Sequence, residues 1–176
     1  MVMEELKKYI REVPDFPKPG VNFYDISTLL QDKVGFSLAL DRMEKYALSK
    51  KIQKIVAIEA RGFLFGAALA DRMNVSLVIA RKPGKLPYKT VAAGYDLEYG
   101  TDKIEIHADA IGNDDRVLVV DDLIATGGTL AATCQLVEEL GGEVVGISSV
   151  IGLDFLSHQD KLKDYDINYL VSYDSE

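Results

Sequence analysis

Short apolar runs rich in β-branched residues alternate along this chain with stretches of helical spacing. The runs are KIVAIE (54–59), SLVIA (76–80), RVLVVD (116–121) and VVGISSVIG (144–152). Between them, GFLFGAALADRM (62–73) and GTLAATCQLVEELGG (128–142) repeat apolar residues every three to four positions. Strands apolar on both faces and separated by helices predict an α/β fold with a parallel sheet covered on both sides. In the second helix, Leu130, Cys134, Val137 and Leu140 form the inner face, while Gln135, Glu138 and Glu139 face out. A further helix is predicted over 33–50. MEELKKYIREV reads as a first helix stopped at Pro14, and PDFPKPGVNFYDIS (14–27), with three of the five prolines, as an ordered irregular loop. Residues 88–108 alternate half-polar segments and predict a protruding hairpin or lid; DINYLVSY (166–173) predicts a late strand.

Composition narrows the class. A chain of 176 residues, 48% hydrophobic and 27% charged, is expected to form one domain with a real core. A net charge of -8 disfavours nucleic acid and anionic membranes as partners. No apolar run approaches the roughly 20 residues of a membrane span, and the N-terminus has no apolar signal core. The single Cys134 allows no internal disulfide. The expectation is a cytoplasmic domain. His107 and His158 match no metal-ligand spacing and read as ordinary polar positions.

The candidate chemistry starts at VVDDLIATGGT (119–129). A buried strand ends in two acids, and six residues later a helix begins. Ligands bind at this edge of open α/β sheets. Thr126, Gly127, Gly128 and Thr129 can turn consecutive N–H groups and two hydroxyls on one anion at a helix N-terminus. Neither a Gly-Lys-Ser/Thr phosphate loop nor G-x-G-x-x-G is present. Carboxylates repel phosphate, so Asp121 and Asp122 call for a ligand that offers hydroxyls as well, or a hydrated cation. A phosphorylated ribose satisfies both halves.

VLVVDDLIATGGT resembles the signature of the type I phosphoribosyltransferases, which use 5-phosphoribosyl-1-diphosphate. VPDFPKPGVNFYDIS, ARGFLFG, RKPGKLP and YDLEYG, in that order, are similar to the adenine-using members of that family. The resemblance runs from about Val13 to Gly152. It implies a central, mainly parallel sheet flanked by helices, within a single domain over 1–176. A small hood over 1–30 and a flexible lid over 84–101 complete the expected architecture. The implied reaction is purine salvage: phosphoribose moves to N9 of adenine, giving AMP and pyrophosphate, with magnesium held mainly by substrate and water, in a homodimer.

The same resemblance assigns the site. Ala125 and Thr126–Thr129 would take the 5-phosphate, and Asp121 and Asp122 the ribose. Glu59, Ala60, Arg61, Arg81, Lys82 and Lys85 would take the pyrophosphate. Phe23 and Leu123 would sandwich the base while the backbone of Val21, Asn22, Phe23 and Tyr24 reads its edge, and Glu98 would receive its proton. Tyr24 departs from the Arg or Lys many members carry. Two other readings fit the motifs: transfer to hypoxanthine, xanthine or guanine, and a non-catalytic sensor of the diphosphate.

Overall fold

The computed structural model describes residues 4–96 and 101–174. A single helical turn, α1 (Glu4–Lys7), leads into β1 (Arg11–Val13), which pairs antiparallel with β2 (Phe23–Asp25). The first helix is therefore shorter than its periodicity predicts. Leu6 and Ile10 are buried, but residues 11–13 gain a strand partner because the proline-rich loop folds back, and pairing outweighs the weak propensity of so short a helix. Part of the loop expected to be irregular is thus strand.

The rest follows the apolar pattern closely. Helices α2 (Ser27–Gln31) and α3 (Lys33–Leu48) are separated by Asp32, whose carboxylate accepts the N–H groups of Val34 and Gly35 at 2.9 Å and caps α3. Then come β3 (Lys54–Ile58), α4 (Gly62–Met73), β4 (Ser76–Ala80), the antiparallel pair β5 (Thr90–Asp96) and β6 (Thr101–His107), β7 (Arg116–Val120) and a short β8 (Leu123–Ile124). Helix α5 (Gly128–Glu139), β9 (Glu143–Leu153), α6 (Gln159–Leu162) and β10 (Ile167–Tyr173) complete the order.

The main sheet runs β10-β9-β7-β3-β4, every pair parallel, with β8 lying along the end of β9. Its residues alternate between two cores. Ile55, Leu118 and Val120 pack with Leu40, Met43, Phe65 and Leu69 of α3 and α4. Val56, Ile58, Val117 and Val119 pack with Leu130, Cys134 and Val137 of α5. Each such fully buried aliphatic side chain contributes about 1.5–3 kcal/mol. The hairpin protrudes less than expected: Ala93, Ile104 and Ile106 are buried in the second core, and Arg81 and Glu105 exchange backbone hydrogen bonds at 2.9 and 2.8 Å.

From β3 the chain winds to β4 on one side, then crosses to β7 and continues outward through β9 and β10. The order therefore reverses between β3 and β7. In an open parallel sheet that point leaves a crevice at the carboxyl ends of the two strands, and the polar turns Glu59–Arg61 and Asp121–Asp122 both lie there.

Candidate active site

After β7 the chain does not turn at once. Leu123 and Ile124 run beside Ile151 and Gly152 as β8, and the Asp122 carbonyl accepts the N–H groups of Val150 and Ile151 at 3.1 and 3.0 Å. Only then does the turn 125–129 bring in α5. Gly127 sits at φ +75, a left-handed conformation that side chains resist, and a Cβ there would stand 3.1 Å from the Leu162 side chain. For Gly127, backbone conformation is the demand. No side chain caps α5, so its first-turn amides remain as donors. They border a cavity of about 80 Å³ lined by Asp121, Leu123, residues 125–129 and Leu130.

A second cavity of about 330 Å³ shares Asp121, Leu123 and Thr129 with the first and extends over Glu59, Ala60, Arg61, Asp122 and Lys82. Its floor depends on α4 coming down on β7. A Cβ on Gly62 would meet the Val120 carbonyl at 2.9 Å and Asp121 Oδ1 at 3.0 Å, so glycine is what lets the helix start touch the acid pair.

The acids are electrostatically loaded. Asp122 is buried, its N–H donates to Asp121 Oδ1 at 2.8 Å, and its Oδ2 lies 2.8 Å from Arg61 Nε. Burial, then the charge of Asp122, pushes the Asp121 carboxyl well above the ordinary range. Burial also raises Asp122, with Arg61 opposing it.

The remaining site residues divide. The Glu59 carboxylate forks onto Arg81 (Nε 3.2 Å, Nη2 2.9 Å) and accepts the Lys82 N–H at 3.0 Å. The Arg81 hydrogen bond holds its carboxyl below the usual range. Arg81 is thereby engaged, and neither it nor Lys85 lines the cavity, whereas Lys82 does. The Glu59–Ala60 peptide is cis.

On the hood, Phe23 packs edge-on against Phe16 at 5.2 Å, and the Arg61 Cζ lies 5.5 Å from its ring centroid. Phe23 therefore lies beside Arg61, which lines the larger cavity together with Leu123. Strand alternation sends Tyr24 the other way, where it is buried and stacked on Tyr173 with centroids 3.7 Å apart. Its departure from a basic residue thus lies on the face opposite Phe23. Val21 uses its N–H and carbonyl within the loop, bonding Lys18 O at 3.3 Å and Phe16 N at 3.1 Å. Asn22 donates to Glu12 at 3.3 Å.

Glu98 lies outside the described residues. Cys134 is buried and its thiol pKa is raised by burial, consistent with packing. His158 is not an ordinary surface polar residue: it is 1% exposed, against Gly127 of the turn 125–129, with its Nδ1 3.3 Å from Leu153 O.

The sequence reading misses Tyr95 and Asp102, both lining the larger cavity. They are direct cross-strand partners, and Tyr95 donates to Asp102 Oδ2 at 3.3 Å. Tyr95 opens the YDLEYG motif, but only the hairpin register brings Asp102 beside it.

A family model described as phosphoribosyl transferase domain matches residues 30–173. An adenine phosphoribosyltransferase of Koribacter versatilis is 53% identical over 171 residues, covering 97% of this chain and 94% of that one. The solved adenine phosphoribosyltransferase of Thermoanaerobacter pseudethanolicus superposes with a TM-score of 0.94 at 50% identity, covering 97% and 99% of the two chains. That of Saccharomyces cerevisiae, complexed with adenine and an imino-altritol bisphosphate, gives 0.90 at 38% identity, covering 97% and 98%. With its glycine turn, acid pair and facing turn at one switch point, the chain belongs to the phosphoribosyl transferase family and, within it, to the adenine phosphoribosyltransferases.

Proposed function

We propose that this enzyme transfers phosphoribose from 5-phosphoribosyl-1-diphosphate to N9 of adenine, releasing AMP and pyrophosphate in purine salvage. The observation that carries the reading is the pair of adjoining cavities at the switch point, sharing Asp121, Leu123 and Thr129. The smaller one, ringed by α5 amides, suits the 5-phosphate; the larger one suits ribose, diphosphate and base.

In this reading Thr126–Thr129 anchor the 5-phosphate through first-turn amides and hydroxyls. Asp121 and Asp122 accept the ribose hydroxyls and fix C1 for in-line attack. Arg61 and Lys82 draw the diphosphate side, with Arg81 acting through Glu59 to shape the loop, and Lys85 at its exposed flank. As the C1–O bond breaks, the sugar gains oxocarbenium character and the pyrophosphate gains charge, which these cations offset. Phe23 and Leu123 flank the base, and Glu98 accepts the proton that N9 or N7 sheds. Residues 84–101 act as the lid that excludes water from the activated sugar.

Magnesium, carried chiefly by diphosphate and water, supplies further charge neutralisation. The site suits it, because Asp121 and Asp122 both line the larger cavity, where their carboxylate oxygens would accept the hydrogens of metal-bound water. We place the enzyme in the cytoplasm as a homodimer on the strength of the family resemblance. Leu64 of α4 and Leu77 of β4 are large apolar side chains left exposed for such a contact.

Turnover with each purine base tests the reading. Adenine should exceed hypoxanthine and guanine by at least about 10³-fold, because a site built around an amino donor leaves buried groups unpaired against a 6-oxo base. Comparable turnover of hypoxanthine would overturn the adenine assignment.

A further inference from the structure

Lys82 already holds an anion. Its Nζ lies 3.0 Å from Asp102 Oδ2, and both residues line the larger cavity with Arg61 and Asp121. Asp102 is fixed in place on its own side: its Oδ1 accepts the Lys103 N–H at 2.8 Å and its Oδ2 accepts the Tyr95 hydroxyl at 3.3 Å. Tyr95 and Thr129, at the start of α5, line the same cavity. A continuous chain, Lys82–Asp102–Tyr95, thus runs along the cavity from the basic loop onto the hairpin.

A carboxylate on an ammonium inside a diphosphate site offers the same acceptor oxygens the ligand would bring. We propose that Asp102 is an internal stand-in for the diphosphate: it holds Lys82 at the cavity and yields it to the diphosphate oxygens on binding, thereby setting diphosphate affinity. The inference rests on the reading that Lys82 receives the diphosphate. Asp102 is accordingly a positioning residue, acting through Lys82. The Lys82 hydrogen bond holds the Asp102 carboxyl below its ordinary range and raises Lys82, so the pair stays fully charged at neutral pH and the ligand meets a competing anion.

Calorimetric titration with inorganic pyrophosphate tests this on four proteins: the native chain, Asp102→Asn, Lys82→Ala and the double variant. Asp102→Asn should bind pyrophosphate roughly three- to tenfold tighter, the scale of a partly exposed ion pair plus one removed like charge. Lys82→Ala should bind at least about threefold weaker, and adding Asp102→Asn to it should restore nothing. Asp102→Ser, which shortens the side chain beyond reach of the ammonium, should match Asp102→Asn. Asp102 is half-buried on a hairpin, and thermal midpoints of the variants will show whether each is folded. A gain that persists in the Lys82→Ala background would assign the effect to the general field and overturn the stand-in. Unchanged or weaker binding by Asp102→Asn and Asp102→Ser, with Lys82→Ala impaired, would overturn the stand-in alone. Normal binding by Lys82→Ala would overturn the role of Lys82 itself.

Discussion

Arg61 Nε lies 2.8 Å from Asp122 Oδ2, tying the turn after β3 to the turn after β7 across the switch point. The Asp122 side chain is 8% exposed and that of Arg61 is 42% exposed, so the arginine can swing toward a ligand while the aspartate meets little solvent. An arginine pairs with a carboxylate or a phosphate through the same N–H fork. The contact therefore keeps a buried acid compensated and parks a cation at the cavity.

Arg61→Met should consequently cost both stability and binding. Leaving Asp122 uncompensated should lower unfolding free energy by about 1–3 kcal/mol, below the fully buried case because Arg61 is partly solvated. The Michaelis constant for phosphoribosyl diphosphate should rise as well. Chemical denaturation and initial-rate kinetics on the same preparation check the pair of effects; a stable variant with normal kinetics would deny the contact any role.

Asp121→Asn should trade activity for stability. The folded-state pKa of Asp121 is raised, so the native state holds a proton that the unfolded chain has lost. Stability then falls as pH rises from near the ordinary carboxyl value through the raised one. Asparagine keeps an oxygen for the Asp122 N–H and removes that penalty. The ligand-free variant should melt higher at neutral pH, by about 2–4 °C for each kcal/mol regained, and its melting temperature should depend less on pH. Turnover should fall while inorganic phosphate binds as before or slightly tighter. Loss of phosphate binding in step with activity would contradict this division of labour.

The two glycines of the turn should respond differently. Gly127→Ala forces a side chain into a left-handed conformation and against Leu162, so it should cost about 1–2 kcal/mol of stability. Gly128→Val should leave the protein folded and raise the Michaelis constant for phosphoribosyl diphosphate strongly, since a branched side chain beside the α5 amides obstructs the anion. Thermal melts and kinetics on the two variants separate a conformational glycine from a binding one.

Glu98→Gln should lower the single-turnover rate roughly 10²-fold or more, the scale of a general acid–base group, with much smaller effects on substrate affinity. Glu98→Leu should be worse, because the hydrogen bond goes too. An unchanged chemical step in Glu98→Gln would remove the residue from the mechanism.

What could be read from the residues alone is what obeys local rules. Alternation of apolar runs located β3, β4, β7 and β9, and helical spacing placed α4 at Gly62–Met73, because burial on two faces leaves a period that composition cannot hide. The acid pair followed by ATGGT announced a polar turn between a buried strand and a helix start, since those features are contiguous in the chain.

Tertiary structure decided what depends on register and on distant partners. Residues 11–13 became strand only because residues 23–25 came back to meet them, and that same pairing turned Tyr24 inward and left Phe23 beside Arg61. The Glu59 carboxylate takes as its partner Arg81, 22 positions away, a pairing the turn's own residues do not announce. Asp102 gave no signal until the hairpin set it opposite Tyr95. Charges choose partners by distance in space, and pairing between strands sets that distance, so a chain read one residue at a time shows which groups are present without showing which are already taken.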